Sequence, residues 1–199
     1  MKNLSILIIV MLLGSYSSIA VAQWELEKNE DGIKVYTRSV ANSNFKEFRA
    51  EIELECSADK VIRLLKDANN FKKWLHNCNS SSLLKKISDD EQYNYTETVL
   101  PFPFENRDMI FRAQFSEVNN NHLVTLTGVP DYIKKKDKIT RMEQAKGRWE
   151  IINIKDNKIL VRYQLWVEPG GAIPSWLANL KVVEVPYETL KNMRKKVLD

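Results

Sequence analysis

Few residues in this chain have the types and spacing of a reaction centre. Of its two histidines, His122 follows Asn119-Asn120-Asn121, a run that reads as a solvated turn. His76 follows Trp74-Leu75 at an expected helix end, where a cation is favourable. Neither has an acidic neighbour at ligand spacing, so no metal is expected. The chain holds no G-x-S-x-G elbow, glycine-rich phosphate loop or H-E-x-x-H motif. Cys78 has nucleophilic chemistry, but an oxidising compartment with a second cysteine, Cys56, disfavours that role. The remaining acid–base capacity rests on Glu97, Tyr163 and Arg107, and requires that they share a pocket. Arg107 and Asp108 read more simply as a structural ion pair. No catalytic residue and no cofactor is expected.

The N-terminus sets the expected compartment. Met1-Lys2-Asn3 is basic, residues 4–13 are almost wholly apolar, and Ala20-Val21-Ala22 supplies an A-x-A site. This is the pattern of a signal peptide over residues 1–22, with export across an inner membrane into a periplasm. A spanning helix needs roughly 20 apolar residues, about twice this run. Removing 22 of the 199 residues leaves 177, enough for one domain over residues 23–199. The removed segment holds one lysine and no acid, so the net charge falls from +4 to +3. That mild excess is not the signature of a nucleic-acid binder. Export permits a Cys56–Cys78 disulfide, worth ~3 kcal/mol by loop closure. Two buried thiols are the alternative.

The elements that must position any site follow from periodicity. Residues 32–40 and 45–55 alternate; Ile33, Val35 and Thr37 share one face, and so do Phe48, Ala50, Ile52 and Leu54. Ser57 is an expected N-cap for a helix carrying Val61, Leu64, Leu65 and Ala68. Strands are expected again at 82–88, 91–99, 107–118, 122–129, 139–154 and 158–168, about eight in all and antiparallel. Pro169, Gly170 and Gly171 end the sheet. Residues 174–197 form a long terminal helix with an apolar stripe of Ile173, Trp176, Leu177, Leu180, Val183, Leu190 and Val197. Pro186 is expected to kink or split it. A curved sheet needs its apolar face covered, and this helix can do so, enclosing either a solid core or a pocket.

Three motifs carry a resemblance. Residues 160–182 read LVRYQLWVEPGGAIPSWLANLKV: a tyrosine-bearing last strand, Gly-Gly, then Ile-Pro-x-Trp-Leu-x-Asn. Arg107-Asp108-Met109-Ile110 opens a central strand, and Gly147-Arg148-Trp149-Glu150-Ile151 sits in another. Together they resemble the START domain family of the helix-grip superfamily, over essentially the whole chain after the signal segment. The resemblance implies an α+β helix-grip fold, a curved antiparallel sheet wrapped around a long C-terminal helix and enclosing a hydrophobic cavity. It also implies binding of lipids, sterols or other apolar molecules. Several lipid-transfer members carry an inward arginine six residues after the Arg of the Arg-Asp pair. Here that position is Ala113, which argues against a phosphate clamp of that type.

On this reading Met109, Phe111, Ala113, Phe115, Trp149, Ile151, Tyr163 and Leu165 face a ligand, Trp176 and Leu180 close over it, and Glu97 is the candidate inward acid. The expected partner is a lipid or other hydrophobic small molecule, with transient contact to an anionic membrane through Lys191, Arg194, Lys195 and Lys196 and through Lys134-Lys135-Lys136. The alternative for the helix-end cluster is complementarity to the helix dipole. Rival readings are a cyclase-like or hydrolytic helix-grip enzyme, and an interaction module with a vestigial cavity.

Overall fold

Alternating strands build most of this molecule. A computed structural model describes residues 22–198; the expected signal segment, apart from Ala22, lies outside the described residues. Strands β1 (Glu25–Glu30), β2 (Ile33–Arg38) and β3 (Glu47–Leu54) lead into helix α1 (Ala58–Lys66) and a 3-10 segment (Ala68–Lys73). Then come β4 (Cys78–Ser88), β5 (Glu91–Thr98), β6 (Asn106–Val118), β7 (Asn121–Gly128), β8 (Ile139–Arg141), β9 (Gln144–Lys155) and β10 (Lys158–Glu168). Helix α2 (Ser175–Leu198) ends the described chain. One sheet runs in the order β1-β2-β3-β10-β9-β7-β6-β5-β4, with β8 paired in parallel to β6. This is the expected antiparallel sheet wrapped on a C-terminal helix. Register shifts in the β1/β2 and β4/β5 pairs add local twist.

The expected alternation is seen where a face is buried. Ile33, Val35 and Thr37 are fully buried on β2; Phe48, Ala50, Ile52 and Leu54 are buried on β3. Three boundaries differ from expectation. Strand β1 has a charged sequence with little periodicity, so its strand state comes from pairing with β2. Strand β4 starts at Cys78 because its first residues are polar and pair with Thr98 and Glu97. The single strand expected over 139–154 is two, β8 and β9, which pair with different partners. Ser57 occupies the N-cap of α1, but its side chain makes no capping hydrogen bond. Helix α2 is not split: it runs through Pro186.

Alternation along β6 sends neighbours to opposite faces. Arg107, expected to pair with Asp108, does not. Asp108 lies on the outer face, fully buried, against Arg141 of β8. Arg141 Nε donates to Asp108 Oδ1 at 2.6 Å and its NH2 to Oδ2 at 3.1 Å. The same guanidinium donates to the carbonyls of Pro130, Ile133 and Lys134. This fork fastens the segment between β7 and β8 onto the back of the sheet. Asp108→Asn strands a buried cation, so it should cost ~3–5 kcal/mol in denaturant unfolding. The double change Asp108→Leu with Arg141→Met should recover most of that loss, because it leaves no buried charge.

A divided apolar cavity beneath the terminal helix

Between α2 and the inner face of the sheet lies a cavity of about 200 Å³. Its floor comes from Phe48, Met109, Tyr163 and Leu165; its roof from Leu177, Ala178, Val182, Val185 and Thr189 of α2. The segment Leu100-Pro101 closes one side. None of the lining residues is Asp or Glu among those described. Arg107 sits at the wall with only 3% of its surface exposed. It donates from Nε to the Pro169 carbonyl at 2.9 Å, from NH2 to that of Gly170 at 3.2 Å, and from NH1 to that of Glu105 at 2.5 Å. Burial holds its pKa below the usual arginine range. The guanidinium thus ties the β5–β6 connection to the turn that launches α2. That turn needs glycine: at Gly170, φ is +66° and a Cβ would lie 2.9 Å from the Arg141 carbonyl.

A second, smaller chamber of about 40 Å³ continues deeper. Leu75, Thr96, Met109 and Tyr163 line both and lie between them. Aromatic packing fixes the partition. Tyr163 stacks on Trp149 with centroids 3.7 Å apart and meets Phe48 edge-on at 4.9 Å. Trp74 meets Trp149 edge-on at 6.0 Å. Burial pushes the Tyr163 phenol well above its ordinary range, so it stays neutral.

The structure brings together part of the expected set. Met109, Tyr163 and Leu165 line the larger chamber, and Phe111, Ala113 and Trp149 the deep one. Phe115 and Ile151 are buried in the adjoining core and line neither. Three placements are corrected. Trp176 and Leu180 do not close over the cavity; each is 64% exposed. The chamber-facing residues Ala178, Val182, Val185 and Thr189 form a stripe offset from Leu190, Met193 and Val197, which pack on the core. Trp176 and Leu180 fall outside both. Glu97 is buried, but its neighbours Thr96 and Thr98 face the cavity and it points to the outer face. There it accepts from Asn79 at 3.0 Å and Asn106 at 2.9 Å. Finally, Cys56 and Cys78 are free thiols: Cys56 packs in the core, while Cys78 lines the cavity and donates to the Ser80 carbonyl at 3.4 Å.

Sequence reasoning missed Asn94, Thr96 and Thr98, which are polar residues on a strand face that turns inward. Their alternation opposite Met109 and Phe111 was the available signal. The basic cluster at the end of α2 is partly committed. Lys191 lies 3.5 Å from Asp31, and Arg194 donates to the Asp31 carbonyl at 2.7 Å. His76, read from sequence as lacking an acidic neighbour, has Glu184 of α2 at 3.4 Å.

A curved antiparallel sheet gripping one long helix over an apolar chamber defines a helix-grip protein. The START domain model matches residues 18–197, and the chain belongs to that family. A crystal structure of a STAR-related lipid transfer protein from Xanthomonas axonopodis superposes with a TM-score of 0.83 at 40% identity, covering 88% of this chain and 99% of that one. An uncharacterized protein of Pseudomonas aeruginosa is 33% identical over 172 residues, 86% of this chain and 85% of its own. The mouse phosphatidylcholine transfer protein is 27% identical over 183 residues, 87% of this chain and 83% of its own.

Two outcomes follow from the titrating groups. Burial pushes the Cys78 thiol up to about 11. At pH 7 its alkylation should run roughly a hundredfold slower in the native protein than in unfolded chain, where the thiol titrates in its ordinary range. Quantitative iodoacetamide labelling with peptide mapping reads this, and a native disulfide would show as no labelling at all. For Glu97, burial alone would raise the carboxyl, but hydrogen bonds from Asn79, Asn106 and Tyr95, with Lys136 nearby, outweigh it and hold it low. A depressed folded pKa stabilises above the unfolded value of about 4.3 and loses that effect as pH falls through the folded value. Glu97→Gln should therefore lower the melting temperature at pH 7, and the gap from wild type should shrink below about pH 4.

Proposed function

We propose that this protein is an exported carrier that holds a lipid or similar hydrophobic molecule in the divided cavity and exchanges it at a membrane. The observation that carries this reading is the apolar chamber of about 200 Å³ roofed by the first half of α2. The family membership and the lipid-transfer names of its relatives support it. Export rests on the basic start, apolar run and Ala20-Val21-Ala22 of the sequence, which fit delivery to a periplasm. Holding rather than reacting fits the side chains present. The Cys78 thiol is far from its nucleophilic form, and the Tyr163 phenol is held neutral.

The two halves of α2 are held unequally, which suits a roof that opens. Beyond Pro186, Tyr187 donates to Asp31 at 2.8 Å, Asn192 to the Trp74 carbonyl at 3.2 Å, and Leu190 and Met193 are fully buried. Before it, Asn179 accepts from the Lys46 N–H at 3.0 Å and donates to the Asn44 carbonyl at 3.2 Å. Gly170 and Gly171 supply the joint at the start. Around this roof, Trp176 and Leu180 are exposed, and Phe102 of the segment flanking Pro101 is 95% exposed. Exposed aromatic and aliphatic side chains beside a cavity suit insertion into a lipid surface.

Native mass spectrometry of the protein recovered from its host's envelope tests cargo and processing together. A chain beginning at Gln23 with a stoichiometric apolar adduct is expected; a chain that retains residues 1–22 would overturn export. In a vesicle-to-vesicle transfer assay with a fluorescent lipid, changing Trp176, Leu180 and Phe102 together to serine should slow transfer at least tenfold while retaining bound lipid. An unchanged rate would remove the rim from the exchange step.

A further inference from the structure

The interior space is small, and its size bears on what it can hold. The larger chamber has about 200 Å³ and the deep one about 40 Å³. A dry apolar cavity of about 150 Å³ takes a guest the size of benzene. On that scale the larger chamber holds roughly eight heavy atoms, and the two together roughly ten. Pockets for drug-sized ligands run to roughly 300–1,000 Å³, and a lipid with two long acyl chains is larger than such a ligand.

The fold holds the space at this size from both ends. At the inner end, Tyr163 and Met109 have the longest side chains of the four residues between the chambers. The Tyr163 ring is stacked on Trp149 at 3.7 Å and meets Phe48 edge-on at 4.9 Å. Trp149 is met in turn by Trp74 at 6.0 Å, and Trp74 by Phe71 at 5.7 Å. Displacing the Tyr163 ring therefore disturbs a chain of aromatic contacts and not one rotamer. At the roof, Asn179 fastens the first half of α2 by accepting from the Lys46 N–H and donating to the Asn44 carbonyl. A guest that outgrows the chamber must keep that half of α2 lifted after loading, and forgo both bonds.

We propose that the cargo is a compact hydrophobe, one ring or one chain of about eight to ten heavy atoms, and that Met109 and Tyr163 set its upper length. The proposal rests on the carrier reading and names the size class of its cargo. A guest within the limit lies under the closed roof with its far end against these two side chains. A longer single chain gains nothing from its extra methylenes, because they stay in water.

The test is the affinity of delipidated protein for straight-chain primary alcohols from butanol to tetradecanol, read from tryptophan fluorescence. Affinity should rise about fourfold with each methylene, as burial from water dictates, and should level off at about ten carbons. Met109→Ala and Tyr163→Leu should each move the plateau outward by about two carbons or more. Octanol should still bind them within about threefold of wild type, which reports an intact fold. Tyr163→Phe keeps the ring and should leave the plateau in place. A wild-type affinity that climbs without a break through tetradecanol would overturn the proposal and leave the carrier reading standing. One-to-one uptake of palmitoyl-oleoyl phosphatidylcholine from vesicles, seen by native mass spectrometry, would do the same. A plateau that stays put in both folded variants would overturn the assignment of the limit to Met109 and Tyr163. Should both variants fail to fold, the wild-type series and the vesicle uptake still decide the size of the cargo. If neither the alcohols nor the phospholipid bind, the carrier reading falls with the proposal.

Discussion

A single helix cannot fill the concave side of a nine-strand curved path, and the rest of this molecule follows from that shortfall. Protein interiors pack at near-crystalline density wherever side chains can reach. Here they reach along the second half of α2, where Leu190, Met193 and Val197 meet the core cluster. Under the first half they do not. Ala178, Val182 and Val185 line the same gap as Met109 and Leu165, and an apolar chamber remains. A dry apolar void has no compensating contacts on one side of its lining. Occupation by an apolar molecule restores them, so the binding tendency is a property of the packing defect itself.

The two faces of the sheet then carry opposite tasks. On the outer face, charge is buried with its partner: Asp108 with Arg141, and Glu97 among Asn79, Asn106 and Tyr95. These networks fix the segment between β7 and β8 and stiffen the wall behind the cavity. On the inner face the lining is free of carboxylates, and Arg107 spends its donors on backbone carbonyls at the two connections beside the opening. Strand alternation alone separates the regimes, since Arg107 and Asp108 are neighbours in sequence.

How much of this was legible in the sequence depends on which physical signal each residue carries. Strands with one buried face announced themselves: Ile33 to Thr37 and Phe48 to Leu54 alternate because one side meets the core. Strand β1 did not, because an edge strand of charged residues is held by its neighbour's backbone and not by its own side chains. The floor of the cavity was legible in Met109, Phe111, Tyr163 and Leu165 for the same reason as the strands. The roof was misread. An amphipathic stripe states which residues are apolar, but α2 carries two offset stripes, and only the packing of Leu190 and Tyr187 fixes which one turns to the chamber. Glu97 was misplaced by one strand register, the smallest error that exchanges faces. The pairing of Asp108 with Arg141 joins positions 33 apart, and nothing local in the sequence selects Arg141 over Arg107.

On the proposed carrier reading, the same division gives the cavity surfaces for storage and few groups for reaction. Catalysis needs a titrating group whose pKa is tuned toward neutrality and whose neighbour can take or give a proton. Desolvation in this cavity drives Cys78 and Tyr163 the other way, toward permanently neutral forms. Glu97, the acid expected to face inward, is on the far side of the sheet and is held ionised by donors outside the chamber. What the interior offers a guest is therefore surface to bury, aromatic planes to pack against and a small number of fixed dipoles. Those features raise affinity without polarising a bond, and they leave selectivity to the few polar atoms that the sheet turns inward.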